Sequence, residues 1–318
     1  MGAGAIATSL NAFSQNRGKI YRIGFLAPDS FDTGSDQFLR ALVDGLRKYG
    51  YEEGKNIELD FSWADGNYDR LPRLAAELID RRPDVLAGVG TPSLMALKNA
   101  TRTIPIVMVA SGDALATGLI SSLATPGGNI TGSTFFGKEL MLKRLELLKD
   151  AIPGIKQVAV LVNPENHTTE SNMRAMNDAA KSLKLKLYRI NVRREPDVAA
   201  AFHTMSNRNV EAVAVFEDAV LYANAKAIAD LALHQRVPAI GFPEFANNGG
   251  LIGYGANFSE LFRRAGYFVD RLLKGDSPAN IPVERPTTFD LVVNLKTAKA
   301  LGIKIPQSVL VRATQVIE

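Results

Sequence analysis

Short, almost continuously apolar segments alternate with helix-length amphipathic segments along nearly the whole chain. Segments such as IPIVMVA (104–110) and QVAVLVN (157–163) are apolar on both faces, which is typical of parallel strands covered by helices on both sides. The alternation therefore predicts an α/β protein with doubly wound parallel sheets. The ten predicted strands are residues 21–27, 57–63, 85–90, 104–110, 130–135, 157–163, 186–192, 212–217, 238–242 and 251–254.

The length of 318 residues favours two sheets of about five strands over one large sheet, because a single hydrophobic core stops growing near this size. The pattern breaks at residues 126–132, at 253–257 and in the proline-rich stretch 277–289. Three chain crossings between two lobes would leave a ligand cleft at the carboxyl ends of both sets of strands. The predicted lobes are residues 20–131 with 255–287, and residues 132–254 with 288–318.

Residues 1–19 are predicted to lie outside the fold. Residues 2–13 are small and mostly apolar, and residues 14–19 are polar or glycine. This pattern indicates either the remnant of a secretory signal peptide that lacks its basic region, or a terminus without fixed structure. The sequence leaves both interpretations open.

Composition and motifs argue against several functions. The chain has no cysteine, which excludes disulfides, thiol catalysis and a lipid-modified N-terminal cysteine. Its net charge of +4 is spread along the chain, unlike the concentrated basic face of a nucleic-acid-binding protein. The three histidines lack metal-ligand spacing, and no set of nucleophile, base and orienting group is present. We therefore expect no cofactor, no metal, no nucleic-acid partner and no enzymatic activity.

The turn GVGTPSL (88–94) joins a predicted strand to a predicted helix. Gly90 permits a tight turn, and Pro92 suits the first helical turn because no N–H is needed there. Thr91 and Ser93 then offer hydroxyls beside free backbone N–H groups, an arrangement that can bind a carboxylate. A simple helix cap by Thr91 explains the same residues. A dinucleotide site is disfavoured because the third glycine of its motif is absent.

Polar and aromatic side chains follow most of the predicted strands, where a two-lobed α/β protein has its cleft. Asp113, Glu217 and Asp218 can hold a ligand ammonium group. The turn at Thr91 and Ser93 can hold a carboxylate, and the aromatic side chains can enclose a ligand ring. Core packing is the alternative role of each aromatic residue. The predicted ligand-binding residues are Asp29, Ser30, Phe31, Trp63, Thr91, Ser93, Ser111, Asp113, Phe135, Asn163, Asn166, Glu217, Asp218, Glu244 and Asn257.

Nine segments form a specific pattern through their order and spacing. They are YRIGFLAP, GLRKYGYEEGKN, YDRLPRLAAEL, GTPSLMALKNATRTIPIVMV, LATPGGNITG, KRLELLKDAIPG, VAVLVNPEN, GFPEFANNGGLIGYG and PTTFDLVVNLKTAKALGIKIPQSVL. Over about residues 20–318 the chain resembles the substrate-binding proteins of ABC transporters, in the group that includes tryptophan-binding members. The resemblance implies the type I periplasmic-binding-protein fold.

The resemblance also implies roles for individual positions. One turn departs from the family pattern, since residues 112–115 read GDAL in place of G-D-P-V, which leaves the pose of Asp113 open. The positions that match the family's cleft motifs are Thr91 and Ser93 in the first turn, Asp113 in the second, Asn163 and Asn166 in the N-P-x-N segment, and Asp218 at the fourth strand end of the second domain.

By the same resemblance, the protein closes on a small molecule outside the inner membrane and delivers it to an ABC permease. The expected ligand is a hydrophobic or aromatic amino acid or a related compound, and the expected protein is a soluble periplasmic monomer without a lipid anchor. Two alternatives share the fold. A transcription regulator's ligand-sensing domain is disfavoured because no helix-turn-helix precedes residue 21, and a cleft enzyme would show turnover of amino acids, sugars or phosphate esters.

Overall fold

The computed structural model describes residues 19–30, 36–135 and 137–318, so the predicted signal segment up to residue 18 and the predicted site residue Phe31 lie outside it. The described residues form two sheets, of five and seven strands, and the α/β prediction is confirmed. The strands are β1 (Tyr21–Ala27), β2 (Ile57–Trp63), β3 (Val85–Val89), β4 (Ile106–Gly112), β5 (Ile130–Phe135), β6 (Gln157–Val162), β7 (Lys186–Asn191), β8 (Ala212–Val215), β9 (Ala239–Gly241), β10 (Ile252–Ala256), β11 (Phe289–Asn294) and β12 (Gln315–Ile317).

Helices connect most of the strands, and short 3₁₀ turns form at Tyr68–Arg70 and Pro278–Asn280. The helices in the described part of the chain are α1 (Asp36–Arg47), α2 (Leu71–Asp80), α3 (Gly90–Ala100), α4 (Gly137–Ala151), α5 (Thr169–Ser182), α6 (Pro196–Ser206), α7 (Ala219–Ala223), α8 (Ala225–His234), α9 (Pro243–Asn247), α10 (Phe258–Leu273), α11 (Leu295–Leu301) and α12 (Gln307–Leu310).

The five-stranded sheet has the order β2-β1-β3-β4-β5, and its strand pairs are all parallel. The chain leaves β1 toward one side of the sheet and returns as β3 on the other, so the loops after β1 and β3 diverge. Such a reversal of strand order opens a crevice at the carboxyl ends of the two strands. We call this sheet, with α1, α2, α3 and α10, the first lobe.

The seven-stranded sheet has the order β12-β11-β10-β9-β8-β6-β7 and reverses its strand order between β6 and β8. Its pairs are parallel except for β10 and β11, which are antiparallel. The sequence did not predict β11 and β12, because β11 follows a chain crossing and β12 has only three residues. We call this sheet, with its remaining helices, the second lobe.

The chain passes between the lobes after β5, after β10 and before β11. Because β5 pairs with β4 on both sides of a register shift, the predicted lobe boundary between residues 131 and 132 falls inside a strand that belongs to the five-stranded sheet. After β10, helix α10 returns to pack on α1. The contact leaves no room for a side chain at Gly45, because a Cβ atom placed there would lie 2.1 Å from the carbonyl oxygen of Arg263. Helices α1 and α10 therefore form one rigid face beside the crevice.

Candidate functional site

A cleft lies between the carboxyl ends of the two sheets, where both sheets reverse their strand order. It contains about 870 Å³ of empty space, including its opening to solvent. Both lobes and the first crossing contribute to its walls. The lining residues are Pro28, Asp29, Phe38, Tyr68, Val89, Gly90, Thr91, Pro92, Ala110, Gly112, Phe135, Gly137, Asn166, Thr168, Asn172, Glu217, Asp218, Ala219, Tyr222, Phe258 and Phe262.

Aromatic rings form one wall of the cleft. Phe38 of α1 stacks on Phe262 of α10, with ring centroids 5.2 Å apart. Phe258 and Tyr222 each meet Phe38 edge-on at 6.1 Å. The predicted residue Phe135 lies 5.7 Å from Phe258 and also lines the cleft. The wall is therefore a suitable surface for an apolar or aromatic ligand group.

Helix α3 points its amino end at the cleft. Gly90 has a φ of +73°, a left-handed conformation that suits glycine. The residue before the helix, Val89, provides no side-chain cap. The Thr91 hydroxyl donates a hydrogen bond of 3.1 Å to the carbonyl oxygen of Gly112. Ser93 is fully buried and does not line the cleft, so of the two predicted hydroxyls only that of Thr91 reaches it.

Residues of the second lobe oppose this helix end. Gly112 has no side chain, and a Cβ atom placed on it would lie 3.4 Å from Cγ2 of Thr168 and 3.7 Å from the hydroxyl of Thr91. Both threonines are therefore close to Gly112. Asn172 lies beside the start of α4, where a Cβ on Gly137 would lie 2.9 Å from its amide nitrogen. Thr168 and Asn172 were not predicted, because nothing in the sequence relates them to the α3 turn.

Asp218 is the centre of a hydrogen-bond network. Within the second lobe its carboxylate accepts hydrogen bonds from Asn163 at 3.2 Å, from Asn166 at 3.0 Å and from the Val220 amide at 3.0 Å. From the first lobe, the Tyr68 hydroxyl donates to it at 2.7 Å. Burial raises the pKa of Asp218, and these hydrogen bonds oppose the rise. The three residues predicted here do come together, and their network links the lobes.

Glu217 is held by a buried arginine. Both terminal nitrogens of Arg144, whose side chain is completely buried, donate to the Glu217 carboxylate. Arg144 also donates to the carbonyl oxygens of Val215 at 2.9 Å and Tyr254 at 2.8 Å. The Glu217 charge is therefore balanced within the second lobe. Sequence reasoning missed Arg144, because one arginine within KRLELLK resembles an ordinary charge on a helix surface.

Three other polar groups are buried but unpaired. Oδ1 of Asp29, the hydroxyl of Tyr222 and Oε2 of Glu244 have no hydrogen-bond partner in the part of the chain that the structure describes. Burial raises the pKa of Asp29 to about 6 and that of Glu244 to about 7. Burial also raises the pKa of Tyr222, and the neighbouring Glu244 carboxylate adds to that effect. Asp29 and Tyr222 line the cleft, whereas Glu244 lies behind Tyr222.

Several predicted residues do not line the cleft. The Asp113 carboxylate accepts from the Ala116 amide at 3.0 Å and lies 3.9 Å from Nζ of Lys138, because the turn after β4 folds the side chain back on itself. Asn257 caps α10. Trp63 packs on Phe25 and Phe61 at the edge strand β2. The other predicted residues outside the lining are Ser30, Ser93, Ser111, Asn163 and Glu244.

Two further properties concern the described residues as a whole. None of their helices combines the length and the apolar character of a membrane span. Within the same ranges, no three or more His, Asp or Glu side chains are grouped so that they could hold a metal ion.

Comparison with known proteins identifies similar chains. The family model described as "ABC transporter substrate binding protein" matches residues 28–317. Among curated proteins, the tyrosine-binding protein of Clostridioides difficile (strain R20291) is 27% identical over 276 residues, which are 86% of this chain and 78% of that protein.

Two solved structures bear on the arrangement of the lobes. An ABC domain from Streptococcus pneumoniae in complex with L-Trp is 26% identical, with a TM-score of 0.87 over 94% of this chain and 100% of that chain. The ligand-free, open structure of a substrate-binding protein with adhesive properties from Clostridium difficile is 25% identical. It covers 94% of this chain and 99% of that chain, and its TM-score is 0.66.

Proposed function

This chain belongs to the ABC transporter substrate-binding protein family and has the type I periplasmic-binding-protein fold, and we propose that it captures one aromatic amino acid between its lobes. Its partner is then an ABC permease in the inner membrane, to which it delivers the ligand. We further propose that it acts in the periplasm as a soluble monomer. The expectation that it is not an enzyme is part of the same proposal.

The observation that carries the proposal is the juxtaposition of an aromatic wall and polar strand ends in one cleft. Phe38, Phe258 and Phe262 offer the apolar contact that a ligand ring needs, since aromatic rings bury large areas and favour stacked or edge-on contacts. The polar groups beside Thr91 suit the charged end of an amino acid. A purely apolar ligand would leave those polar groups without partners.

The ligand carboxylate fits the amino end of α3. This helix has eleven residues, so its first turn carries unsatisfied N–H groups and a positive partial charge. The side chains of Thr91 and Thr168 approach the same point from the two lobes, Thr91 with its hydroxyl and Thr168 with its methyl group. Both hydroxyls donate elsewhere, to the carbonyl oxygen of Gly112 and to Oδ1 of Asn166, so the backbone N–H groups of the helix end are the donors left for the carboxylate. A carboxylate held there would contact both lobes, which couples ligand binding to closure.

Closure is supported by contacts between the lobes. The hydrogen bond from Tyr68 to Asp218 joins the 3₁₀ turn of the first lobe to the start of α7 in the second. The two structural relatives are almost equally identical to this chain, yet the complex with L-Trp superposes much better than the ligand-free, open structure. The lobes of this chain are therefore arranged as in the liganded relative. The ligands of two relatives, tyrosine for the curated protein and L-Trp for the solved complex, support the proposed ligand class.

The proposal is tested by thermal shift and calorimetry on protein refolded to remove any ligand that co-purifies. We expect L-tyrosine, L-tryptophan or L-phenylalanine to raise the melting temperature, because a ligand that binds only the folded protein stabilises it by about 2.7 kcal/mol at 100 times its dissociation constant. Glucose, uridine and inorganic phosphate should leave it unchanged. A shift with a sugar or nucleoside, and none with an aromatic amino acid, would reject the proposal.

A further inference from the structure

The unpaired oxygens at the cleft come from opposite lobes. Asp29 follows β1 in the first lobe, and Tyr222 lies on α7 in the second. Oδ1 of Asp29 and the hydroxyl of Tyr222 are buried without a hydrogen-bond partner among residues 19–30, 36–135 and 137–318. Buried polar atoms are normally paired, so two unpaired ones that line the same cleft indicate a ligand group that pairs with both.

We propose that Asp29 and Tyr222 form the ammonium subsite of the cleft, in which both side-chain oxygens accept hydrogen bonds from the α-ammonium group of the ligand. This inference rests on the proposed function. Burial keeps the Tyr222 hydroxyl protonated by raising its pKa, and the neighbouring Glu244 carboxylate adds to that rise. The neutral phenol oxygen makes no hydrogen bond with any described residue, so its lone pairs are left for the ammonium group.

The position of Asp29 relative to the helix end supports this assignment. A Cβ on Gly90 would lie 3.5 Å from Cγ of Pro28, so the loops after β1 and β3 run side by side. Asp29 is the next residue after Pro28, and Thr91 is the next after Gly90. The ammonium and carboxylate groups of an α-amino acid are attached to one carbon atom. Their subsites must be adjacent, and these two are.

The other carboxylates near the cleft are already engaged. Asp218 accepts hydrogen bonds from four donors, and Glu217 is paired with Arg144. Asp113 caps its own turn and does not line the cleft. Of the acidic side chains that line the cleft within the described ranges, Asp29 is therefore the one with an unpaired buried oxygen.

Ligand affinity should depend on pH. Burial raises the pKa of Asp29 to about 6, and an adjacent ammonium group favours the ionised carboxylate. Binding therefore weakens as pH falls through 6, to about a tenth of its strength at pH 5 relative to pH 8. The groups that face Asp29 are Tyr222 from α7 and, behind it, Glu244 from α9, which is itself uncharged at low pH because its pKa is raised to about 7. The remaining cleft carboxylates, Glu217 and Asp218, are paired as described.

The experiment compares amino acids with analogues that lack only the amino group. L-tyrosine is paired with 3-(4-hydroxyphenyl)propionate and L-tryptophan with indole-3-propionate, each titrated calorimetrically into wild type, Asp29→Asn, Tyr222→Phe and the control Asp113→Asn. Wild type and the control should prefer the amino acid by about 10- to 150-fold, the range for hydrogen bonds to charged groups. Asp29→Asn should lose most of this preference and the pH dependence, and Tyr222→Phe part of the preference.

The outcomes separate this inference from the proposed function. Equal affinity of wild type for both members of each pair overturns the ammonium subsite and leaves aromatic ligand binding intact. Binding of neither member overturns the proposed function, and the subsite with it. An undiminished preference in Asp29→Asn and Tyr222→Phe also overturns the assignment. If Asp29→Asn does not fold, Tyr222→Phe and the wild-type pH series still decide.

Discussion

The two lobes differ in whether the acidic residues at their strand ends already have hydrogen-bond partners. In the second lobe, Asp218 and Glu217 already have their partners, most of them within that lobe. In the first lobe, Asp29 keeps a buried oxygen that no described residue satisfies, and α3 begins without a side-chain cap. Paired groups stabilise the protein itself, whereas unpaired buried groups lower its stability until a ligand pairs with them. We infer that the first lobe contributes Asp29 and the α3 helix end to the ligand's charged groups, and that Tyr222 completes the ammonium subsite from the second lobe. The paired acids of the second lobe then provide a preformed surface onto which the first lobe closes.

The largest expected effect, on the free energy of unfolding, comes from removing the partner of a paired acid in the second lobe. Arg144→Met leaves the buried Glu217 carboxylate without its partner. We expect the free energy of unfolding to fall by about 3–5 kcal/mol, as for other buried ion pairs that lose one member. Urea denaturation measures the loss. Adding Glu217→Leu should recover much of it, since an apolar pair can replace a buried ion pair.

Asp29→Asn is the matched change in the first lobe. It removes a buried carboxylate whose Oδ1 has no partner among the described residues, so we expect the unliganded protein to unfold at the same or a higher urea concentration. A loss comparable to that of Arg144→Met would mean that both lobes use their acidic residues for stability. The distinction between the lobes would then be wrong.

A smaller effect is expected at the bond that joins the lobes. Tyr68→Phe removes one hydrogen bond to a charged acceptor, which exists only when the lobes are together. We expect affinity for L-tryptophan to fall about tenfold, the lower end of the range for such bonds. Calorimetry measures the affinity, and small-angle scattering at a fixed ligand concentration should show more of the extended form.

Tyr49→Phe is the control for this change, because Tyr49 packs against Tyr267 of the same lobe, away from the cleft. Its affinity and scattering should match those of wild type. If Tyr68→Phe also matches wild type, the contact follows closure without stabilising it, and Asp218 has its role within the second lobe alone.

Much of the fold could be predicted because it depends on local patterns. The bounds of β1, β2 and β5 agree with the apolar runs to the residue. In α10, apolar residues that recur with the helical period, among them Leu261, Phe268 and Leu272, are buried. The antiparallel β11 could not be predicted, since its pairing depends on where the chain re-enters the second lobe. Sequence patterns indicate where a strand lies in the chain. They do not indicate which strand it pairs with once the chain has crossed between the lobes.

The site was less predictable, because it depends on side-chain poses from distant segments. Strand-end position led to the predictions of Asp29, Thr91, Asn166 and Asp218, which line the cleft. It could not show that Asp218 is already paired, because the donor Tyr68 lies 150 residues away. Phe38 and Phe262 belong to helix stripes that indicate ordinary core packing. They line the cleft because α1 and α10 pack tightly together beside it.

The smallest expected effect separates the two hydroxyls of the α3 turn. Ser93 is fully buried, lies outside the cleft lining and has no partner for its hydroxyl among the described residues. Ser93→Ala should therefore leave affinity for L-tryptophan within about twofold and raise the free energy of unfolding by up to about 1 kcal/mol, because an unsatisfied polar group is removed. Thr91→Val keeps the shape of its side chain but removes the cleft-lining hydroxyl that donates to the Gly112 carbonyl, so the helix end and the turn after β4 lose a bond between them and affinity should fall about tenfold. Calorimetry measures the affinity of both variants, and urea denaturation measures their free energies of unfolding. Equal losses of affinity would mean that Ser93 turns toward the ligand, and that the first lobe rearranges on binding instead of presenting a fixed helix end.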